Sequence, residues 1–192
     1  ILPKLIGKGA STMTKRAEDQ FKRLTEKFTS MEQMVSALTE DQLNYKFNPD
    51  TWSIIEVIQH LLLAEGGTYR YISKKILDPS KLDPIGLGTK IREFKLNTYI
   101  KTPIKLPAPE IVQPKQGKLP QDYTDLINEW KKVRKALYEL LLSLDQSMWS
   151  KEIHKHPLVG RISLKGSLNF IELHFDRHQK QIRTLIRKSI DQ

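Results

Sequence analysis

Ile171-Glu172-Leu173-His174-Phe175-Asp176-Arg177-His178-Gln179-Lys180-Gln181-Ile182 is the stretch whose reading decides the fold. Leu168, Ile171, Phe175, Ile182, Leu185 and Ile186 recur at three- and four-residue steps with charges between them, which predicts an amphipathic helix. His174 and His178 then stand one turn apart, so their imidazoles leave the same side of that helix and can converge on one point. This is metal-ligand spacing, but it makes half a site: a catalytic zinc-type centre needs a third protein ligand and a position open to water or substrate. Two helical histidines can also fall four apart by chance, so the rest of the chain has to decide.

A second helical stretch, Trp52-Ser53-Ile54-Ile55-Glu56-Val57-Ile58-Gln59-His60-Leu61-Leu62-Leu63-Ala64-Glu65, carries one histidine in a nearly continuous apolar run. A helix apolar on nearly all sides belongs at the centre of a domain. His60 is therefore either a buried neutral histidine with a hydrogen-bonded partner or a metal ligand, and the two downstream histidines favour the ligand. Together the two stretches resemble the DinB/YfiT-like superfamily of metal-binding four-helix bundles. There a "WS-x-x-E-x-x-x-HL-x-x-x-E" helix gives one metal histidine and a late "H-x-x-x-H-x-x-QI" helix gives two. The matching positions are His60, His174 and His178. A third matching element is "HP-L-x-G-R-(I/L)-(S/T)" before the last helix, at His156 to Ser163. The resemblance covers about Lys15 to Ile186. It implies an all-α four-helix bundle with up-down-down-up topology and a long crossover between the second and third long helices, and relatives are often dimers.

The chain has 192 residues, enough for one domain with a full core. Apolar content of 39% and charged content of 28% are those of an ordinary soluble protein. No run of about 18 apolar residues is present, so no transmembrane helix is expected. Lys4, Gly7, Lys8 and Gly9 interrupt any signal-peptide core. The absence of cysteine excludes disulfides, thiolate metal sites and a cysteine nucleophile, and makes a cytoplasmic location the default expectation. The net charge of +10 is spread among acids, so solubility ranks first as its meaning, an anionic substrate second and nucleic acid last.

Residues 1–10, without periodicity, read as a flexible tail ahead of a single domain from 11 to 192. Ser11 or Thr12 can cap a helix whose stripe runs from Phe21 to Leu38. Thr39 to Gln42 reads as a second cap. Ser53 and Glu56 stand at capping-box spacing and start the His60 helix, which runs to about Leu77.

A stretch of about 40 residues rich in proline and lysine follows, to about Pro120, in which only Lys90 to Tyr99 reads as a short helix. In a bundle whose second and third helices run parallel, the chain must travel the bundle's length here, roughly 38 Å for a helix of about 25 residues. The crossover can also overhang the site, and its excess of lysines suits either an anionic substrate or plain solvation. A third long helix from about Asp122 to Leu144 has Trp130, Leu137 and Leu141 in its buried stripe, with Lys131, Lys132, Arg134 and Lys135 expected on a solvated face. His154 and His156, in a short segment before Pro157, are expected to be exposed and poor ligands. The last helix starts at Ser163 or Ser167 and runs to about Ile190.

Three neutral imidazoles suit a borderline divalent ion: zinc or nickel first, with iron, manganese and cobalt open. Such a centre either activates water for hydrolysis or presents a small thiol to an electrophile. The resemblance implies the second, since relatives include transferases that use low-molecular-weight thiols, and the absence of cysteine fits a thiol brought by a cosubstrate and hydrolysis equally well. The expectation is thus a metal-dependent enzyme, thiol transferase or hydrolase, acting on a small molecule, and the alternative is a non-catalytic metal-binding or stress-response module. Glu56, one turn before His60, is a capping acid first, and otherwise a general base, an orienting group or a further ligand. Gln181 can line the pocket or simply sit at the bundle's edge.

Overall fold

The structure is a computed structural model that describes residues 13–102, 107–114 and 119–190. The expected tail over residues 1–10 lies outside the described residues, as do Ser11 and Thr12. The first helix, α1 (Lys15–Val35), is instead capped by Thr14, whose hydroxyl accepts the Ala17 N–H at 3.3 Å. A short α2 (Glu40–Asn44) starts with the capping box of Thr39 and Gln42. Then come α3 (Ile54–Lys75), α4 (Leu87–Lys101), α5 (Tyr123–Ser143) and α6 (Leu164–Ile190), with a hairpin of β1 (Glu152–His156) and β2 (Gly160–Ser163) before α6. The architecture is mostly helical, and its four long helices, α1, α3, α5 and α6, enclose one core.

Each long helix buries the stripe that its sequence announces. Phe21, Leu24, Phe28 and Met31 of α1 meet Trp130, Leu137 and Leu141 of α5 and Phe175 of α6 in that core. Phe28 and Trp130 meet edge to face, with ring centroids 5.0 Å apart. Removing a side chain of this size from such a core costs about 3–5 kcal/mol.

Two features depart from expectation. The segment before α6 is a two-stranded hairpin, which the all-α expectation did not include, with Lys155 opposite Arg161 and His156 opposite Gly160. A bulge between Glu152 and His154 turns the consecutive residues Ile153 and His154 both inward, which strict alternation forbids. Gly160, at φ +86°, closes the turn in a conformation that favours glycine.

The crossover is also more ordered than its composition suggests. Its helix α4 extends beyond Lys90 to Tyr99 at both ends, because it docks on α6 and the hairpin through specific pairs. Arg92 reaches Glu152 at 2.5 Å and the Arg161 carbonyl at 2.7 Å, while Asn169 donates to Asn97 at 2.7 Å. Glu93 accepts the backbone N–H and the hydroxyl of Ser163, at 2.8 and 2.7 Å, where α6 begins. At the other end of α4, Arg177 donates to the carbonyls of Ile100 and Thr102, at 3.1 and 2.8 Å.

Candidate metal centre

A capping box starts α3 one turn before His60. Ser53 Oγ accepts the Glu56 N–H at 3.3 Å, and Glu56 Oε2 accepts the Ser53 N–H at 2.8 Å. The other Glu56 oxygen receives Lys46 Nζ at 2.8 Å, so both carboxylate oxygens are engaged at the helix end. One turn further on, His60 enters the space between α3 and α6, where His174 and His178 face it.

The three Nε2 atoms meet. His174 Nε2 lies 3.1 Å from His60 Nε2 and 3.2 Å from His178 Nε2. Among the described residues these three side chains form a group able to hold a metal ion, each offering a ligand atom within 4.8 Å of the others. Imidazole nitrogens bound at about 2.0–2.1 Å in tetrahedral array stand roughly 3.3 Å apart, so the two separations from His174 are close to those of a ligand set.

The outer nitrogens settle the protonation of two rings. His60 Nδ1 is 2.7 Å from the Val112 carbonyl, which only accepts, so Nδ1 carries the proton and Nε2 presents a lone pair. His178 Nδ1 is 2.9 Å from Gln181 Oε1, an equivalent arrangement. A single proton on His174 Nε2 serves its two contacts poorly, whereas a cation serves all three lone pairs.

Burial makes the rings neutral near pH 7. It lowers the His60 pKa against the opposing Val112 hydrogen bond, and pushes His178 down to about 4, aided by the charge of neighbouring His60. His174 is held well below the ordinary range, by burial first and then by His178 and His60. Neutral, desolvated imidazoles with oriented outer nitrogens fit a borderline divalent cation.

The surroundings are aromatic. The Trp52 ring lies 4.8 Å from His60, and Phe170 stacks on His174 at 5.0 Å. His156 meets Phe170 edge to face, with ring centroids 4.5 Å apart. The expectation that His154 and His156 are exposed fails: each is 5% exposed, because the bulged hairpin turns them onto α6. His154 Nδ1 lies 3.2 Å from Ser167 Oγ, and His156 Nδ1 accepts the Leu158 N–H at 3.3 Å. Burial pushes their pKa values down to about 3 and about 4.

Arg134 was also expected in solvent but is 6% exposed. It donates from Nε to Glu65 Oε1 at 3.0 Å and from Nη1 to the Leu24 carbonyl at 3.1 Å, while Trp130 Nε1 donates to Glu65 Oε2 at 2.9 Å. The signal was present: Arg134 falls between Trp130 and Leu137 in the buried stripe of α5, and Glu65 follows Leu61 by four residues. Lys131, Lys132 and Lys135 do lie outward, each beside an acid, Glu32, Glu129 and Glu139 respectively.

The profile of the DinB superfamily matches residues 23–182, most of the chain. No curated protein matches it significantly. Among solved structures, the chain is similar to TT2238, described as a four-helix bundle protein, with a TM-score of 0.54 at 14% identity. That likeness covers 87% of this chain and 98% of the other, and it bears on fold alone. No helix among the described residues is long and apolar enough to cross a membrane.

Proposed function

This chain belongs to the DinB superfamily, and on that premise we propose that it is a divalent-metal-dependent enzyme with His60, His174 and His178 as metal ligands. The observation that carries the reading is the meeting of three Nε2 atoms whose partner nitrogens are held, on His60 and His178, by Val112 and Gln181. Zinc or nickel suits this donor set best, with iron, manganese and cobalt as further candidates. A bound ion of this kind supplies Lewis acidity, lowering the pKa of a coordinated small thiol or water molecule towards neutrality.

The protein's own residues do the rest. Val112 and Gln181 keep two lone pairs aimed inward, and Trp52 and Phe170 pack against His60 and His174. Glu56 is read as a capping residue, since the cap and Lys46 occupy its carboxylate. The proposed substrate is a small molecule, either a low-molecular-weight thiol with its electrophile or a hydrolysable compound.

Cross-helix contacts support the up-down-down-up order. Gln20 and Lys27 of α1 meet Glu172 and Asp176 of α6 in ascending order, as Gln59 and Glu65 of α3 meet Pro120, just ahead of α5, and Trp130 within it. Between α3 and α6 the order is reversed: His60 meets His174, whereas Tyr71 meets His154, ahead of α6. A homodimer belongs to the same reading, and the exposed apolar residues Leu87, Ile91 and Phe94 on α4 offer a face for it.

The test is metal analysis of purified protein, followed by a screen of small thiols with electrophiles and of hydrolysable esters and amides. About one divalent ion per chain and turnover that chelation abolishes are expected. Protein that takes up no divalent ion when offered zinc or nickel overturns the reading. The enclosure of the rings favours a second reading, a non-catalytic metal-binding module, which full occupancy without turnover would support.

A further inference from the structure

His174 differs from its two companions. His60 Nδ1 donates to Val112 and His178 Nδ1 to Gln181, but among the described residues His174 Nδ1 has no hydrogen-bond partner. A cation on Nε2 leaves the proton on Nδ1, and metal-bound histidines almost always give that proton to a carboxylate, a carbonyl or water. His174 lines a small cavity between α3, α5 and α6 whose wall also includes Ala64, Glu65, Trp130 and Phe170. Its volume of about 10 Å³ is near the minimum for one water molecule.

The polar part of that wall is unusual. Glu65 is 2% exposed, in the middle of a helical bundle, and paired with Arg134. Each carboxylate oxygen has two acceptor positions, and Trp130 and Arg134 take one on each. Acceptor capacity therefore remains on a buried carboxylate that shares a cavity with the one ligand ring lacking an outer partner. A buried ion pair is weak evidence of a stabilising role, because apolar residues of similar volume often serve stability as well or better.

We propose that Glu65 is the outer carboxylate of His174, reached from Nδ1–H through a single water in this cavity, and that Trp130 and Arg134 hold it in place. The proposal rests on the three-histidine reading of the metal centre. Glu65 acts through the water and His174, so it is a positioning residue.

Zinc affinity measured by chelator competition at pH 7, on the full chain, is one test. Glu65→Gln weakens a carboxylate acceptor into an amide, and Ala64→Val fills the cavity without touching Glu65. Both are expected to weaken zinc binding about 10-fold, within the range for loss of an outer-shell partner, and the double variant is expected to lose little more than either single one. In the zinc-loaded wild type, the His174 Nδ1 proton is expected in the nitrogen-edited NMR spectrum with a cross-peak to water.

Wild-type zinc affinity retained in Ala64→Val, or a His174 Nδ1 proton without a water cross-peak, overturns the proposal. The second measurement needs no variant, so it decides even where a substitution prevents folding. If His174→Ala abolishes zinc binding while Glu65→Gln and Ala64→Val leave it unchanged, this proposal alone falls. If the wild type itself binds no zinc or other divalent ion, the metal reading falls with it.

Discussion

His60 Nδ1 lies 2.7 Å from the carbonyl oxygen of Val112, 52 residues further along the chain, in the crossover. A carbonyl can only accept, so this contact fixes the tautomer and aim of the imidazole. The crossover thus works on the site as well as connecting two helices.

Replacement of a proposed ligand ring is the most direct check on the centre. His174→Ala is expected to lower zinc or nickel affinity by more than about 100-fold, beyond the range for outer-shell changes, with His154→Ala retaining binding. Isothermal titration on folded protein reads the difference. Equal losses in the two variants would move the site away from His174.

Gln181→Ala removes the acceptor for His178 Nδ1 while leaving all three proposed ligands. Metal affinity is expected to fall about 10-fold with circular dichroism unchanged. An unaltered affinity would make Gln181 a bystander at the bundle's edge.

Glu56→Ala separates capping from chemistry. Loss of the capping box is expected to cost about 1 kcal/mol of stability in urea unfolding, with metal affinity intact. A collapse of turnover without loss of stability would instead place Glu56 in the reaction.

Gly166→Ala is expected to destabilise by about 1–3 kcal/mol. A Cβ there would stand 2.6 Å from Glu93 Cδ and 2.9 Å from Glu93 Cγ, forcing away the carboxylate that holds Ser163 at the start of α6. Denaturant midpoints of the two proteins give the answer, and coincident curves would show that the Glu93 side chain yields freely.

Acid should destabilise the metal-free protein through its buried histidines. Folding lowers the pKa of His154 to about 3 and of His156 to about 4, against about 6.5 for an unfolded histidine. Below about pH 6.5 the unfolded chain therefore binds protons that the folded chain refuses. Stability falls with decreasing pH by about 1.4 kcal/mol per unit per group until the folded pKa is reached, and is indifferent to these groups above that window. Urea unfolding at pH 7 and pH 5 should show a smaller pH dependence in His154→Phe than in the wild type. Identical dependences would count against it.

The sequence carried the bundle because its helices repeat apolar residues with a period that needs no tertiary knowledge, and it carried the Glu56 cap because a capping box is local. His60, His174 and His178 were legible as candidates from helical spacing on one side and an apolar helix on the other. Burial of His154 and His156 was not legible, since it depends on a bulge that appears only once β1 and β2 pair. Arg134 was misread because its charge outweighed its place in the stripe, and its partner Glu65 is 69 residues away. Val112 left no mark at all: any residue except one constrained in backbone could offer that carbonyl.

Residue 60 and residue 174 are separated by 114 positions, yet their nitrogens touch. An ion held between them, as proposed, would staple the first half of the chain to its last helix, a cross-link whose strength would follow the supply of metal. At free metal a hundredfold above the dissociation constant, such a staple adds about 2.7 kcal/mol to the folded state. Metal scarcity would then be felt as fragility of the whole domain, before any question of turnover arises.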